Sequence, residues 1–262
     1  MCTAREGRDI MALTPKMFLI VCPLLFLAGF VDSIAGGGGL ISLPAYIFAG
    51  LPMHLAIGTN KLSSACGTSL ATARFIRKGL VNFKLVLPGI AAAMVGSALG
   101  SNLSLLASEQ LIRGILFIAL PAAAFFVLNR RLFPETGSDR IVVDRRTLTV
   151  CVLAALLIGV YDGFYGPGTG TFLIIAFTVF ARLSVGAANA QAKVINLTTN
   201  ITSLAVFLLN GTVLIPLGLA AAACNMLGNY IGSGLVLSKG ARIVRPIILV
   251  VLALLLIKIL TE

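Results

Sequence analysis

The chain has 262 residues, of which 58% are hydrophobic and only 11% are charged. Soluble domains carry about 25% charged residues, so this composition excludes an ordinary water-soluble globule and predicts an integral membrane protein. The net charge of +11 is carried by basic residues at the ends of apolar runs, where they act as topology signals, and we do not expect a nucleic-acid partner.

Apolar segments follow one another along the chain, several of them close to the 20 or so residues that cross a hydrocarbon core about 30 Å thick. Long runs of Leu, Ile, Val and Ala predict helices, because barrel strands would alternate apolar and polar residues. Segments 40–51 and 169–182 are short and are interpreted as half-helices or re-entrant arms. The predicted segments are 17–35, 40–51, 55–77, 83–106, 110–130, 148–165, 169–182, 185–209, 213–236 and 243–260.

The two halves of the chain resemble each other. At an offset of 130 residues Asp32 falls on Asp162, and at an offset of 132 Lys61 falls on Lys193. Matches that include rare intramembrane charges predict two copies of one unit. We therefore expect an all-α membrane protein with about eight to ten transmembrane segments. Its predicted parts are an N-terminal tail (1–16), a first repeat (17–131), a polar linker (132–146) and a second repeat (147–262).

Loop charges indicate how the halves are oriented. The arginine-rich linker is predicted to be cytoplasmic by the positive-inside rule. In the first half, basic residues from Arg74 to Lys84 follow the third segment; in the second half, basic residues from Lys239 to Arg245 follow the fourth. Equivalent loops then lie on opposite sides of the membrane, which is typical of inverted-topology repeats. This parity places both termini outside, although the basic residues of the N-terminal tail favour the opposite.

Glycine clusters interrupt both halves directly after an aspartate. Four consecutive glycines begin at Gly36, and the second half has Gly166, Pro167, Gly168, Thr169 and Gly170. Each glycine inside a helix costs about 1 kcal/mol relative to alanine, and proline removes a backbone donor. These clusters predict unwound backbone at membrane depth, which in paired segments points to a transporter site. The alternative is that the glycines only let helices cross closely; the phosphate-loop pattern GxxxxGK[ST] is absent.

A polar stripe follows each cluster on an otherwise apolar helix. The first contains Gly58, Thr59, Asn60 and Lys61, with Ser63, Ser64, Thr68 and Ser69 beyond them. The second contains Asn189, Gln191 and Lys193, followed by Asn196, Thr198, Thr199 and Asn200. A lysine within a membrane segment is costly and indicates a functional site, and ammonium groups, amides and helix N-termini all suit an anion. The alternative is that each lysine reaches back to the membrane interface.

Together the breaks and stripes predict a binding site for a small anion at the midplane. Asp32 and Asp162 either carry protons or pair with the lysines and cap helices; the sequence does not separate these roles. The predicted substrate-binding residues are Gly36, Gly37, Gly38, Gly39, Thr59, Asn60, Lys61, Gly166, Gly168, Thr169, Gly170, Gln191, Lys193 and Asn196.

The remaining conspicuous residues have structural interpretations. Arg113 and Arg245 are expected to anchor helix starts, and His54 is expected at the interface in a loop beside Pro52. Two small-xxx-small pairs are expected to let helices pack closely: Gly96 with Gly100, and Gly228 with Gly232. The five cysteines show no metal-site or disulfide spacing, and we expect no metal and no cofactor.

The run from Gly29 to Pro44, GFVDSIAGGGGLISLP, followed by AIGTNK at 56–61, closely resembles the TauE/SafE sulfite exporter family. The second half resembles that family's second repeat through GPGTG at 166–170 and the residues Ala187, Asn189 and Lys193. The likeness covers nearly the whole chain except the first 16 residues and the linker. Pro167 and Thr169 depart from a pure glycine run.

The resemblance implies a multi-pass permease of the bacterial inner membrane for a small sulfur-containing anion, sulfite or an organosulfonate. The expected function is therefore secondary transport by alternating access, not enzymatic catalysis, with the anion and the lipid bilayer as partners. A homo-oligomer, the direction and the coupling ion stay open. The alternative function is an intramembrane thiol relay that uses Cys22 and Cys151.

Overall fold

The structure, a computed structural model, describes residues 13–108, 110, 141–239, 243, 244, 246 and 247. Within these ranges the chain forms α-helices and no β-strand. The predicted segments 110–130 and 243–260, with Arg113 and Arg245, lie almost wholly outside the described residues. The helices are α1 (Pro15–Ala35), α2 (Gly39–Phe48), α3 (Met53–Arg77), α4 (Phe83–Leu106), α5 (Arg145–Phe164), α6 (Thr169–Val179), α7 (Val185–Leu209) and α8 (Ile215–Lys239).

These helices confirm the other eight predicted segments to within a few residues, with two corrections at helix starts. Helix α5 begins at Arg145, inside the predicted linker, because the Asp144 carboxylate caps it by accepting a 2.7 Å hydrogen bond from the Thr147 amide. Helix α3 begins at Met53, so His54 lies in its first turn; the expectation of a loop was wrong.

Helix lengths fall into two classes. Among the described helices, α1, α4, α5 and α7 are long and apolar enough to cross a membrane. Helices α3 and α8 have 25 residues each, about 37 Å at 1.5 Å per residue. Helices α2 and α6 have 10 and 11 residues, about half a membrane thickness. The two short segments are therefore half-helices, as the sequence predicts.

The long helices pack in a reciprocal way. Helix α4 packs against α5 and α7, α8 packs against α1 and α3, and α3 meets α7 at the centre. Small residues allow this closeness: a Cβ on Gly100 would lie 2.0 Å from the Val160 carbonyl oxygen, and one on Gly228 would lie 2.0 Å from that of Phe26. The small-xxx-small pairs therefore have the packing role predicted for them.

Each half-helix runs back along the helix before it. At the far end of α6, the Phe180 carbonyl accepts a 3.2 Å hydrogen bond from Arg146 Nε at the beginning of α5. At the start of α2, a Cβ on Gly38 would lie 2.6 Å from the Ala28 carbonyl oxygen of α1. The turns between these helices consequently lie deep in the protein, with the ends of the half-helices directed outward.

Candidate functional site

The two glycine breaks meet each other at the centre of the molecule. Gly36 ends α1 in the left-handed region (φ +74°), and its amide bonds to the Asp32 carbonyl at 2.7 Å. A Cβ on Gly36 would lie 2.2 Å from the backbone carbon of Gly170, and the Thr171 amide donates to the Gly36 carbonyl at 3.3 Å. The breaks thus form one backbone junction that only glycine permits.

A buried ion pair lies on one side of this junction. Lys61 Nζ on α3 lies 2.7 Å from Asp162 Oδ2 on α5, and the two side chains are 1% and 2% exposed. The Thr169 hydroxyl at the start of α6 lies 2.7 Å from the other carboxylate oxygen of Asp162 and also 2.7 Å from the Gly166 carbonyl oxygen. The Asp162 carboxylate therefore has partners on both of its oxygens.

A second buried pair lies on the other side of the junction. Lys193 Nζ on α7 lies 2.8 Å from Asp32 Oδ2 on α1 and also donates to the Asp32 carbonyl. The Thr68 hydroxyl donates to Asp32 Oδ2 at 3.3 Å. In each pair the lysine comes from one half of the chain and the aspartate from the other. Of the two roles the sequence left open for the aspartates, pairing with the lysines is the one seen here.

A small polar cavity lies between the two half-helix junctions and the two polar stripes. The space open to a water-sized sphere is about 20 Å³, room for about one water molecule. A trigonal or tetrahedral oxyanion has at least four heavy atoms, so the cavity must widen to admit one. Its lining consists of Asp32, Gly36, Gly39, Asn60, Lys61, Ser64, Asp162, Gly166, Thr169, Gly170, Asn196 and Asn200.

Ten of the predicted residues line this cavity, and six do not. Gly37, Gly38, Gly168 and Lys193 lie in or behind the junction. Thr59 and Gln191 connect helices instead: the Thr59 hydroxyl accepts from the Leu214 amide at 3.0 Å, and Gln191 Oε1 accepts from the Asn82 amide at 2.9 Å. These two fix the loop that precedes α8 and the loop that precedes α4.

Ser64 and Asn200 are cavity residues missing from the predicted set. Each lies four residues after a predicted one, Asn60 or Asn196, and so on the same face of its helix. The Ser64 hydroxyl donates to Asn60 Oδ1 at 3.4 Å, and Asn200 Nδ2 donates to Asn196 Oδ1 at 3.1 Å. Both lie on the polar stripes that the sequence shows, outside the set predicted to bind substrate.

The cysteines of the thiol-relay alternative are not neighbours. The Cys22 thiol lies beside Cys224 on α8. Cys151 is buried on α5, where its sulfur would lie 2.9 Å from a Cβ on Gly89 of α4. Cys151 therefore fills the α4–α5 packing as a small apolar residue, and nothing in this arrangement favours electron transfer between Cys22 and Cys151.

A larger cavity of about 1030 Å³ lies where α3 ends and α4 and α7 begin. Lys78 and Lys84 line it, and none of its described lining residues is acidic. Gln191 bonds to the loop that forms one wall, since its Nε2 donates to the Leu80 carbonyl at 2.9 Å. This end of the helices therefore offers a basic approach to the stripe that carries Lys193.

Comparisons with known proteins agree with this architecture. The family model described as "Sulfite exporter TauE/SafE" matches residues 21–259. A probable membrane transporter protein of Sinorhizobium, ORF9, is 37% identical over 238 residues, 90% of each chain. The probable membrane transporter protein YfcA of Escherichia coli K12 is 36% identical over 254 residues, 97% of this chain and 93% of its own. A probable membrane transporter protein of Haemophilus influenzae is 35% identical over 226 residues, 86% of this chain and 87% of its own.

The match covers both glycine breaks, both polar stripes, α1 from residue 21 onward and every later described long helix. Relatives of this similarity cover nearly the whole chain, so fold and general activity are shared. The chain belongs to the TauE/SafE sulfite exporter family and is a membrane transporter.

Proposed function

We propose that the protein carries a small sulfur-containing anion, sulfite or an organosulfonate, across the bacterial inner membrane by alternating access at the cavity between its two halves. The observation that carries this proposal is the reciprocal pairing of Lys61 with Asp162 and of Lys193 with Asp32 beside the junction of the two breaks. Charged groups this deeply buried in a membrane protein mark a substrate or ion pathway.

The halves, residues 17–131 and 147–262, are proposed to be inverted-topology repeats. The reciprocal helix packing supports this, since α4 contacts α5 and α7 just as α8 contacts α1 and α3. The half-helices agree with it if the predicted segments 110–130 and 243–260 also cross, because a hairpin and three crossings in each half make the number odd. Both termini and the loop at Asn210 then lie outside, and the linker and the loop at Lys78 lie in the cytoplasm.

This topology is tested by single cysteines in a cysteine-free variant. Asn210→Cys is expected to react with a membrane-impermeant maleimide added outside intact cells, and Lys78→Cys only after the cells are permeabilised. Labelling of both positions from the same side would refute the inversion.

The substrate proposal rests on membership of a family of sulfite exporters and on the anion-binding chemistry of the cavity. Lysine ammonium groups, amides, hydroxyls and backbone N–H groups are the donors that bind oxyanions. A single anion leaving alone through an inside-negative potential gains about 2.3 kcal/mol per 100 mV, which favours export. Uptake would need a coupled cation, for which the buried aspartates are the candidates.

The test is flux into and out of proteoliposomes with sulfite, sulfate, sulfoacetate, taurine and a carboxylate anion. Saturable flux of one sulfur anion, lost in Lys61→Ala, supports the proposal. Absence of flux for every anion, from protein shown to be folded, refutes it, as does normal flux and affinity in both Lys61→Ala and Lys193→Ala.

A further inference from the structure

The charges around the cavity already balance. Two lysines face two aspartates, and each ammonium lies within 2.8 Å of a carboxylate oxygen. An anion that enters this site adds one uncompensated negative charge where water is nearly excluded, and such a charge is very costly. Binding is therefore favourable only if a positive charge enters with the anion or one carboxylate loses its own charge.

The two lysines are not equally available to an anion. A lysine ammonium has three N–H donors. Lys193 has two acceptors on Asp32, the carboxylate and the backbone carbonyl, and does not line the cavity. Lys61 lines the cavity, and within the described part of the chain its one acceptor is Asp162 Oδ2. Lys61 is thus the cation that can turn from its aspartate to a substrate.

The two aspartates also differ in their hydrogen-bond partners, and Asp162 is the one whose partners suit a change of protonation. The Thr169 hydroxyl lies 2.7 Å from Asp162 Oδ1 and 2.7 Å from the Gly166 carbonyl oxygen. It can donate to the charged carboxylate, or donate to Gly166 and accept a hydrogen bond from a protonated Asp162, without moving. Thr68 offers Asp32 a longer contact of 3.3 Å, and to the same oxygen that Lys193 already holds. The hydrogen-bond partners of Asp162 therefore suit its protonated side chain as well as its carboxylate.

We propose that each anion is carried together with one proton, held by Asp162, while Lys61 exchanges Asp162 for the anion. This inference rests on the proposed function. A proton from water on the side of entry binds the Asp162 carboxylate and makes a carboxylic acid. The hydrogen bond from Lys61 Nζ to Asp162 breaks, and one forms from Lys61 Nζ to an anion oxygen. Release reverses both steps, so one proton and one negative charge cross together, and the Lys193–Asp32 pair stays intact.

The other ionisable groups near Asp162 do not change their charge in this cycle. Asp32 faces it from α1 across the cavity and remains paired with Lys193 of α7. Tyr161 precedes Asp162 on α5, and its hydroxyl donates to the Pro167 carbonyl at 2.6 Å; Tyr165 follows at the end of the helix. Tyrosines are neutral at physiological pH. Lys61 is therefore the group whose pairing decides the charge of Asp162.

Proton uptake on binding tests this directly. Methanesulfonate is the probe, with sulfite beside it, because a sulfonate keeps one negative charge at every working pH and carries no proton itself. The probe is titrated into purified protein in weakly buffered detergent solution while heat and pH are recorded. We expect wild-type protein to take up about one proton per bound anion. Asp162→Asn is expected to bind the anion without proton uptake, and the Thr68→Val variant, which leaves both ion pairs in place, is expected to retain the uptake.

The outcomes separate the two proposals. Anion binding by the wild-type protein without proton uptake overturns proton coupling and leaves the transport proposal standing. Proton uptake that persists in Asp162→Asn overturns the choice of Asp162. No binding of either probe by folded wild-type protein counts against both proposals. The wild-type titration is decisive even if a variant fails to fold.

Flux gives an independent readout. Proteoliposomes are expected to accumulate methanesulfonate about tenfold for each unit of pH difference, acidic on the side of entry. A membrane potential imposed with potassium and valinomycin at equal pH is expected to leave wild-type accumulation unchanged. Accumulation that follows the potential and ignores the pH difference would show a lone anion moving and overturn the inference.

Discussion

Lys61–Asp162 and Lys193–Asp32 join corresponding positions of the two halves, yet their surroundings differ. Lys61 lines the central cavity and has one described acceptor, whereas Lys193 lies behind it with two acceptors on Asp32. The Asp162 side chain is 2% exposed and the Asp32 side chain 13% exposed. The two pairs therefore differ in their surroundings, and our proposal assigns exchange of partners to Lys61–Asp162 and a structural role to Lys193–Asp32.

The largest expected effect comes from leaving one member of the second pair alone. Lys193→Met strands the Asp32 carboxylate among buried groups, and breaking such a pair costs about 3–5 kcal/mol. The double variant Lys193→Met with Asp32→Leu removes both charges and is expected to recover most of that stability. Thermal unfolding of the purified proteins in detergent measures both, and anion flux of the double variant is expected to persist.

The matched control is the other pair. Lys61→Met with Asp162→Leu is expected to fold as well as its counterpart and to carry no anion, because it lacks both the cation and the proton carrier. Equal loss of flux in the two double variants would contradict the proposal that the two ion pairs have different functions.

The next prediction tests whether the backbone junction between the two glycine breaks holds both ion pairs in position. In Gly36→Ala the new methyl would lie 2.2 Å from Gly170, in a backbone with φ +74°. Gly79→Ala is a matched control, since its φ is +69° and nothing lies within 4 Å of its added Cβ.

Both changes carry about 1–2 kcal/mol of left-handed strain. The clash at Gly36 adds about 1–3 kcal/mol and pushes the half-helices apart. We expect lower thermal stability and lost flux in Gly36→Ala, and near-normal flux in Gly79→Ala. Equal behaviour of the two variants would mean that the junction has no special role.

A smaller effect distinguishes the hydroxyl groups that serve the two carboxylates. Thr169→Val removes a 2.7 Å hydrogen bond to Asp162, and hydrogen bonds to charged groups contribute about 1.5–3 kcal/mol. Thr68→Val removes a 3.3 Å contact to Asp32 and is expected to matter less. Anion affinity measured by titration is expected to fall in Thr169→Val and to recover in Thr169→Ser. A larger loss in Thr68→Val would reverse the order of the pairs.

The smallest effect concerns the starts of the helices that carry the aspartates. Hydrogen bonds from the Thr147 hydroxyl and amide hold the pKa of Asp144, the cap of α5, below its usual value. A lowered folded-state pKa gives stability that is present above the unfolded pKa and is lost as pH falls through the folded value. Asp144→Ala is therefore expected to lower the melting temperature slightly at pH 7, with the difference from wild type vanishing in acid.

Helix α1 supplies the control for that change. Its N-cap Thr14 makes no side-chain capping hydrogen bond, so Thr14→Ala is expected to leave the melting temperature unchanged at any pH. A loss in Thr14→Ala equal to that in Asp144→Ala would show that capping does not distinguish the two helices.

The sequence was sufficient for the eight described helices, because apolar length and the glycine and proline breaks act locally. It also gave ten of the cavity residues, since intramembrane lysines, aspartates and glycine clusters are rare enough to be informative alone. Ser64 and Asn200 were missed because a serine or an asparagine on a polar stripe has no rarity of its own. The sequence analysis placed His54 in a loop because it stands beside Pro52. In the structure Pro52 is the N-cap of α3, and His54 lies in the first turn of that helix.

Residue types and spacing by themselves therefore determined the membrane class, the described helices and the presence of two lysines and two aspartates within the apolar segments. Only the tertiary structure decided that each lysine pairs with the aspartate of the other half, because partner choice depends on how distant helices pack. It also decided that Thr59 and Gln191 tie loops and that Lys61 alone of the two lysines reaches the cavity. These differences come from distances of a few ångströms between segments about 100 residues or more apart, which no local pattern encodes.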